Sequence, residues 1–299
     1  MIEQDHDPFL SCLQSCKGKE IYVCPYRGNA GDSLIIAGVI HILRSRGLSM
    51  TADPRQAEVI LWPGGNFAMY RTCVETLLDI LQQSPSAEVI IGPATFRGNS
   101  TNWRNLLSNS SERIRWVFAR DPVSFENLKD EVVSGGIEIG LSHDPAIHLC
   151  QSDWLRRIRL AATDEYVLVS MRDDAKFPGA LGRALWWIKC LCPRRYENIM
   201  SRLMGEYGAK RNSKRVARSL LGSPRIHIED VSKNNFEYFV DRIRRASVVH
   251  TNRLHGMILA VLLGKPVVAY PTTFRKLEDV FEHSLRSIEG VNVRFAKIP

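Results

Sequence analysis

The residues best suited to handling an anion and a proton lie in the second half of the chain. Arg253 and His255 stand in Thr251-Asn252-Arg253-Leu254-His255-Gly256, just ahead of the apolar run Met257–Leu263. A helix begun there points its free N–H groups, and the positive end of its dipole, at the same place. Arg172 follows another apolar run, Tyr166–Met171. Two guanidinium groups match phosphate or carboxylate in bidentate geometry, and histidine is the side chain that most readily exchanges a proton near neutrality. Together these types suit a small, multiply charged anion and acid catalysis upon it.

The first half offers glycine loops after short apolar runs. Glu20–Cys24 leads to Gly28-Asn29-Ala30-Gly31-Asp32 and a helical pattern over Ser33–Arg46. Glycines at a strand-to-helix turn let backbone approach a ligand, although the spacing is neither GxGxxG nor a Walker A loop. Asp32 is either a helix cap or a carboxylate with a catalytic or acceptor-contacting role. Glu58–Trp62 leads to Pro63-Gly64-Gly65-Asn66, a tight turn or the lining of the same cleft. Ile91 opens into Gly92-Pro93-Ala94-Thr95. Arg120 and Asp121 read as a site feature or an ion pair with each other, and His143 and Asp144 in Ser142-His143-Asp144-Pro145-Ala146 either brace a turn or titrate in the site.

Positioning these loops requires strands that alternate with helices. Short apolar runs at Glu20–Cys24, Glu58–Trp62, Glu88–Ile91, Trp116–Ala119 and Ile137–Ile139, then Tyr166–Met171, Arg225–Ile228, Ser247–His250 and Pro266–Ala269, predict two α/β units of parallel strands. We expect a Rossmann-like domain over 1–155 and a second over 156–299, joined near 150–163, with sites outside the carboxyl ends of the strands and in the cleft between the sheets. Residues 176–222 read as a mostly helical insertion.

The net charge is +8, with 40 basic and 32 acidic residues among 299. Twelve basic and four acidic residues fall between Arg172 and Arg218, so the rest of the chain is neutral. A protein that coats nucleic acid usually spreads its basic residues over more than one element, so nucleic acid is not expected as a partner. The segment Ala180–Tyr196 sets Trp186 and Trp187 among Arg183, Lys189, Arg194 and Arg195, the pattern of an interfacial amphipathic helix or of a packed helix with a solvated face. The longest apolar run, Met257–Leu263, is far too short to span a bilayer. The start of the chain, with Glu3, Asp5 and Asp7, lacks a basic-then-apolar leader. A cytoplasmic protein is expected. Seven cysteines with no pair of CxxC units read as reduced thiols. No metal-ligand spacing stands out, and no cofactor is expected.

The ordered set Gly28-Asn29-x-Gly31-Asp32, Pro63-Gly64-Gly65-Asn66, Ala119-Arg120-Asp121, Asp144-Pro145-Ala146, Thr251-Asn252-Arg253-Leu254-His255-Gly256 and Gly264-Lys265-Pro266 resembles the polysaccharide pyruvyl transferase family. The resemblance implies a two-domain fold like that of GT-B glycosyltransferases and a pyruvyl transfer from phosphoenolpyruvate onto two hydroxyls of a glycan sugar, with release of phosphate. It implies donor contacts from Arg253, the Leu254 backbone, His255 and, as the best-matching position, Arg172. His255 would be the general acid, and Asp32 and then Asp144 the candidate bases. Gly28, Asn29, Gly31, Gly64, Gly65 and Asn66 would bind substrate on the acceptor side. The acceptor would be a polysaccharide or lipid-linked oligosaccharide precursor, with 180–218 in peripheral contact with the anionic inner face of the cytoplasmic membrane. Two other readings stay open: a GT-B nucleotide-sugar glycosyltransferase, and a non-catalytic basic module for nucleic acid or anionic lipid.

Overall fold

The computed structural model describes residues 7–25, 28–67, 71–97, 101–109, 112–132, 136–159, 166–171, 211–220, 222, 225–271 and 275–298. Its first sheet contains β1 (Ile21–Val23), β2 (Val59–Trp62), β3 (Glu88–Ala94), β4 (Ile114–Ala119) and β5 (Glu138–Leu141), all parallel and ordered as in the chain. Successive side chains on a strand face opposite ways, so each strand feeds two cores. Val59 and Leu61 of β2 pack with Phe9 and Leu13 of α1 (Pro8–Ser15) and with Val39, Ile42 and Leu43 of α2 (Ala30–Ser45). Ile60 and Trp62 face the other core, with Leu77 and Leu81 of α3 (Arg71–Gln83), Leu106 of α4 (Thr101–Asn109) and Leu128 of α5 (Pro122–Glu131). Burial on both faces explains why these strands read as unbroken apolar runs.

The second sheet contains β6 (Val167–Ser170), β7 (Ile226–Ile228), β8 (Val248–Thr251), β9 (Val267–Ala269) and β10 (Val293–Phe295), again all parallel. Their order is β10-β9-β8-β6-β7. The order of strand addition therefore reverses between β6 and β8, where a doubly wound sheet opens its ligand crevice. Around it lie α6 (Asp153–Arg159), α7 (Arg211–Ser219), α8 (Phe236–Arg245), α9 (Leu254–Leu262) and α10 (Lys276–Val280). All nine residues of α9 are buried, which accounts for its apolar sequence. The expected α/β architecture of two parallel sheets is present. α1 and β10 are additions to the sequence reading.

The units are not strung on a loose tether. Ala30 and Leu34 of α2, with Ala146, Ile147 and Leu149 of the 3-10 segment Pro145–Gln151, belong to the same core as Leu168, Ile243, Met257 and Ile258. A fully buried Leu or Ile contributes roughly 1.5–3 kcal/mol through removal from water, so this junction is a substantial share of the fold.

Candidate active site

At the first glycine loop the helix begins earlier than the pattern Ser33–Arg46 predicts. Asn29 is the N-cap of α2, its side-chain oxygen accepting from the Gly31 N–H at 2.8 Å, while Asp32 Oδ2 accepts from the Asn29 N–H at 2.9 Å. Asp32 is thus the third helical residue of a capping box rather than the cap itself. Both glycines are required by close approach: a Cβ on Gly28 would collide with the Asp32 carboxylate, and a Cβ on Gly31 would lie 2.7 Å from His255 Cβ and Nδ1. The N-terminus of α2 therefore meets that of α9.

The second glycine loop places an amide. Gly64 and Gly65 take φ of 118° and 85°, the left-handed half of the map that glycine tolerates. The Gly65 N–H donates to Pro93 O at 3.1 Å and the Thr95 N–H to Gly65 O at 2.8 Å, which pins the loop to the end of β3. Asn66 then presents Oδ1 to two donors, Arg120 Nη2 at 3.2 Å and the Lys276 amine.

Arg120 is the centre of the cluster. It is fully buried, donating through Nε to Thr95 Oγ1 at 2.9 Å and through Nη1 to Asp144 Oδ2 at 2.7 Å. Asp144 Oδ1 accepts the Ala146 N–H at 3.0 Å, starting the 3-10 segment, and Oδ2 lies 3.4 Å from His255 Nε2. Burial opposes the charge on Asp144, but the His255 ring and the Arg120 guanidinium hold its carboxyl well below the usual range. His255 is buried, and its Nε2, although close to Asp144, makes no hydrogen bond among the described residues. A continuous polar path results, His255–Asp144–Arg120–Asn66–Lys276, running from α9 through the first unit to α10.

The ion pair considered between Arg120 and Asp121 does not form. Adjacent strand-end residues point apart, so Asp121 instead takes Arg97 at 2.7 Å and caps α5 through the Ser124 N–H at 2.9 Å. Arg97 also reaches Asp279 of α10 at 2.6 Å.

Arg253 is the N-cap of α9. Its N–H donates to Thr251 Oγ1 at 2.9 Å, and its guanidinium grips Asp230, at the end of β7, through Nε at 3.1 Å and through Nη2. Leu254 opens the helix beside it, where first-turn N–H groups have no helical partner. Arg172 lies outside the described residues, one place beyond Met171. So does Ala180–Tyr196 with both tryptophans. Of the basic segment, α7 is described, with Lys214, Arg215 and Arg218 exposed and Val216 buried.

His255, Asp144, Gly31, Asn29, Asp32 and Asn66 thus converge, while Arg253 stands at the same helix terminus, bound to Asp230. Arg120's role as a hub, Asp230 and Lys276 go beyond the sequence expectation. Asp230 carries one legible signal, a place just after β7 of a parallel sheet, whereas Lys276, at the first position of α10, carries none. Among the described residues, no group of three or more His, Cys, Asp or Glu is placed to hold a metal ion.

Two helix N-termini, the buried Arg120 and a histidine beside a carboxylate meet in one cluster, a constellation with the chemistry to hold an anion and move a proton. The chain belongs to the polysaccharide pyruvyl transferase family, whose model matches residues 29–272. Among solved structures it is similar to a functionally uncharacterized protein from Klebsiella pneumoniae, at 21% identity and a TM-score of 0.62, over 96% of this chain and 97% of that one. Weaker likenesses include the UDP-GlcNAc 2-epimerase of Methanocaldococcus jannaschii in complex with UDP-GlcNAc and UDP (11% identity, TM-score 0.43, 93% and 89% of the two chains). An alpha-glucosyltransferase in complex with UDP is comparable (8% identity, TM-score 0.43, 86% and 81%). No curated protein matches the sequence.

Proposed function

We propose that the enzyme transfers the pyruvyl group of phosphoenolpyruvate onto two hydroxyls of one sugar in a polysaccharide or lipid-linked oligosaccharide precursor, closing a ketal and releasing phosphate. The observation that carries this reading is His255 at the start of α9, 3.4 Å from an Asp144 that is itself held by Arg120. Phosphoenolpyruvate becomes electrophilic at C2 when C3 is protonated, so the reaction needs an acid beside an anion site. His255 supplies the proton. Arg253, the Leu254 N–H and Arg172 bind the carboxylate and phosphate, and Arg253 exchanges part of its hold on Asp230 for the donor. Asp144, kept ionised, orients the ring.

In this reading residues 156–299 form the donor side and residues 1–155 the acceptor side. Gly28, Asn29, Gly31, Gly64, Gly65 and Asn66 line the latter. The basic stretch 180–218 is the contact with an anionic membrane surface, consistent with the exposed Lys214, Arg215 and Arg218 of α7. No helix among the described residues is long and apolar enough to cross a membrane.

The test is phosphate release from phosphoenolpyruvate with acceptor present. His255→Ala should lower it by ~100-fold or more, the usual size of a general-acid contribution; activity within a few-fold of wild type removes His255 from the role. Thermal stabilisation by phosphoenolpyruvate but not by a nucleoside diphosphate separates this reading from glycosyl transfer.

A further inference from the structure

Pyruvyl transfer also needs a group to receive the proton of the attacking hydroxyl, and the carboxylates in the cluster are engaged elsewhere. Asp144 directs one oxygen to the Ala146 N–H and the other to Arg120. Asp32 accepts the Asn29 N–H inside the capping box of α2. Lys276 enters the same cluster from α10, donating to Asn66 Oδ1 beside Arg120. Lys276 is half-buried there.

The backbone around Lys276 is set for that direction. Arg275 immediately before it has φ 49° and ψ 21°, and it is the single non-glycine residue with positive φ among the described residues. Such a conformation persists only where surrounding structure enforces it. One turn further on, Asp279 pairs with Arg97, which in turn pairs with Asp121 of the first unit.

We propose that Lys276 is the general base of the transfer and takes the proton of the first acceptor hydroxyl. The assignment rests on the pyruvyl-transfer reading. Burial, and then the positive charge of Arg120, push the amine well below the ordinary lysine range, while Asp144, Asp32 and Asp121 pull the other way. A buried lysine that yields its proton readily is the form in which this side chain serves as a base. A neutral amine still donates to Asn66 and keeps its lone pair for substrate.

The protons balance without another reactant. His255 gives its proton to C3, using the C2–C3 π pair for the new C–H bond. The first hydroxyl oxygen bonds to C2 as its proton passes to Lys276. The C2–O bond to phosphate then breaks with its electron pair going to phosphate, which leaves with the proton from Lys276. The second hydroxyl oxygen bonds to C2 and returns a proton to His255. One hydroxyl proton departs on phosphate, the other restores His255, and both residues end as they began.

The experiment uses the full chain carrying lysine labelled with carbon-13 at Cε, whose shift reports the charge of the amine, with Lys276→Arg to assign the signal. At neutral pH and saturating phosphoenolpyruvate, the Lys276 signal is expected at the neutral-amine position and should titrate well below the other lysines. Lys276→Ala and Lys276→Arg are both expected to bind phosphoenolpyruvate within a few-fold of wild type by calorimetry. A protonated signal in the donor complex overturns the proposal, as does loss of donor affinity in Lys276→Ala that Lys276→Arg restores, since either makes Lys276 an anion ligand. If wild type does not bind phosphoenolpyruvate at all, the donor reading falls and the base assignment with it; a wild type that binds beside a protonated lysine sinks the base assignment alone.

Discussion

Gly31 of α2 and His255 of α9 come from different units and pack together: a Cβ on the glycine would stand 2.7 Å from both Cβ and Nδ1 of the histidine. Gly31→Ala must therefore displace the ring that the proposed mechanism uses as its acid. Misplacement of a reacting group by about 1 Å can cost on the order of 100-fold in rate. We expect a loss of that size in phosphate release, with a thermal melt that stays cooperative. Unchanged turnover in Gly31→Ala would show that the histidine has room to spare.

The buried pair of Arg120 and Asp144 gives a stability prediction. Removing one partner of such a pair strands the other charge, at a cost of roughly 3–5 kcal/mol. Asp144→Ala should lose about that much in urea unfolding. Arg120→Met/Asp144→Ala should lose less than the two single variants combined, because neither charge is left alone. Strict additivity in the double-mutant cycle contradicts the coupling seen between Nη1 and Oδ2 at 2.7 Å.

Asp230 holds the guanidinium of Arg253 through Nε and Nη2. If Arg253 binds the donor, Asp230 sets its orientation, and Asp230→Asn should raise the phosphoenolpyruvate Kd about 10-fold, a change worth ~1.4 kcal/mol. Calorimetric titration measures it. A tighter Kd would instead identify Asp230 as a competitor for Arg253.

Acidification should destabilise the protein in two steps. Burial pushes His143 and His250 down from 6.5 to about 4. The unfolded chain therefore takes up protons that the folded chain refuses, and stability falls as pH drops from 6.5 toward 4. For His250, which is 5% exposed and shares a hydrogen with Tyr270 at 2.9 Å, the full effect is on the order of 3 kcal/mol. Asp7 acts lower down. Although burial opposes its charge, His148 and Ser142 bring it from 3.8 to about 2, so its contribution is lost only across that lower range. Urea midpoints followed against pH should show the first fall flattened in His250→Gln; an unaltered slope would reject the assignment to His250.

The strands were legible because burial on both faces leaves a continuous apolar run, as in Val59–Trp62 and Val167–Ser170. β10 was not, since Val293–Phe295 is short and carries Arg294 in its middle. α1 carried a readable start, Asp7 as N-cap with proline following, but no long apolar period to draw attention to it. Sheet order could not be read, because it depends on which faces of α2 and α9 find partners far along the chain. In the site, glycine loops and the Arg-Leu-His run announced themselves by type and spacing. The partners of Arg120 and Lys276 did not, since Asn66, Asp144 and Arg120 are brought together by long-range packing of separate loops.

The common core of α2, the segment Pro145–Gln151 and the second sheet's helices bears on recombination between relatives. A crossover placed between the two sheets would pair Ala30, Leu34 and Ile147 with α8 and α9 surfaces from another sequence. The seam that can be cut cleanly in primary structure is therefore not the seam of packing. A chimera that takes the second sheet from a donor should fold best when α2 and residues 145–151 travel with it, so that inheritance follows the interior and not the linker.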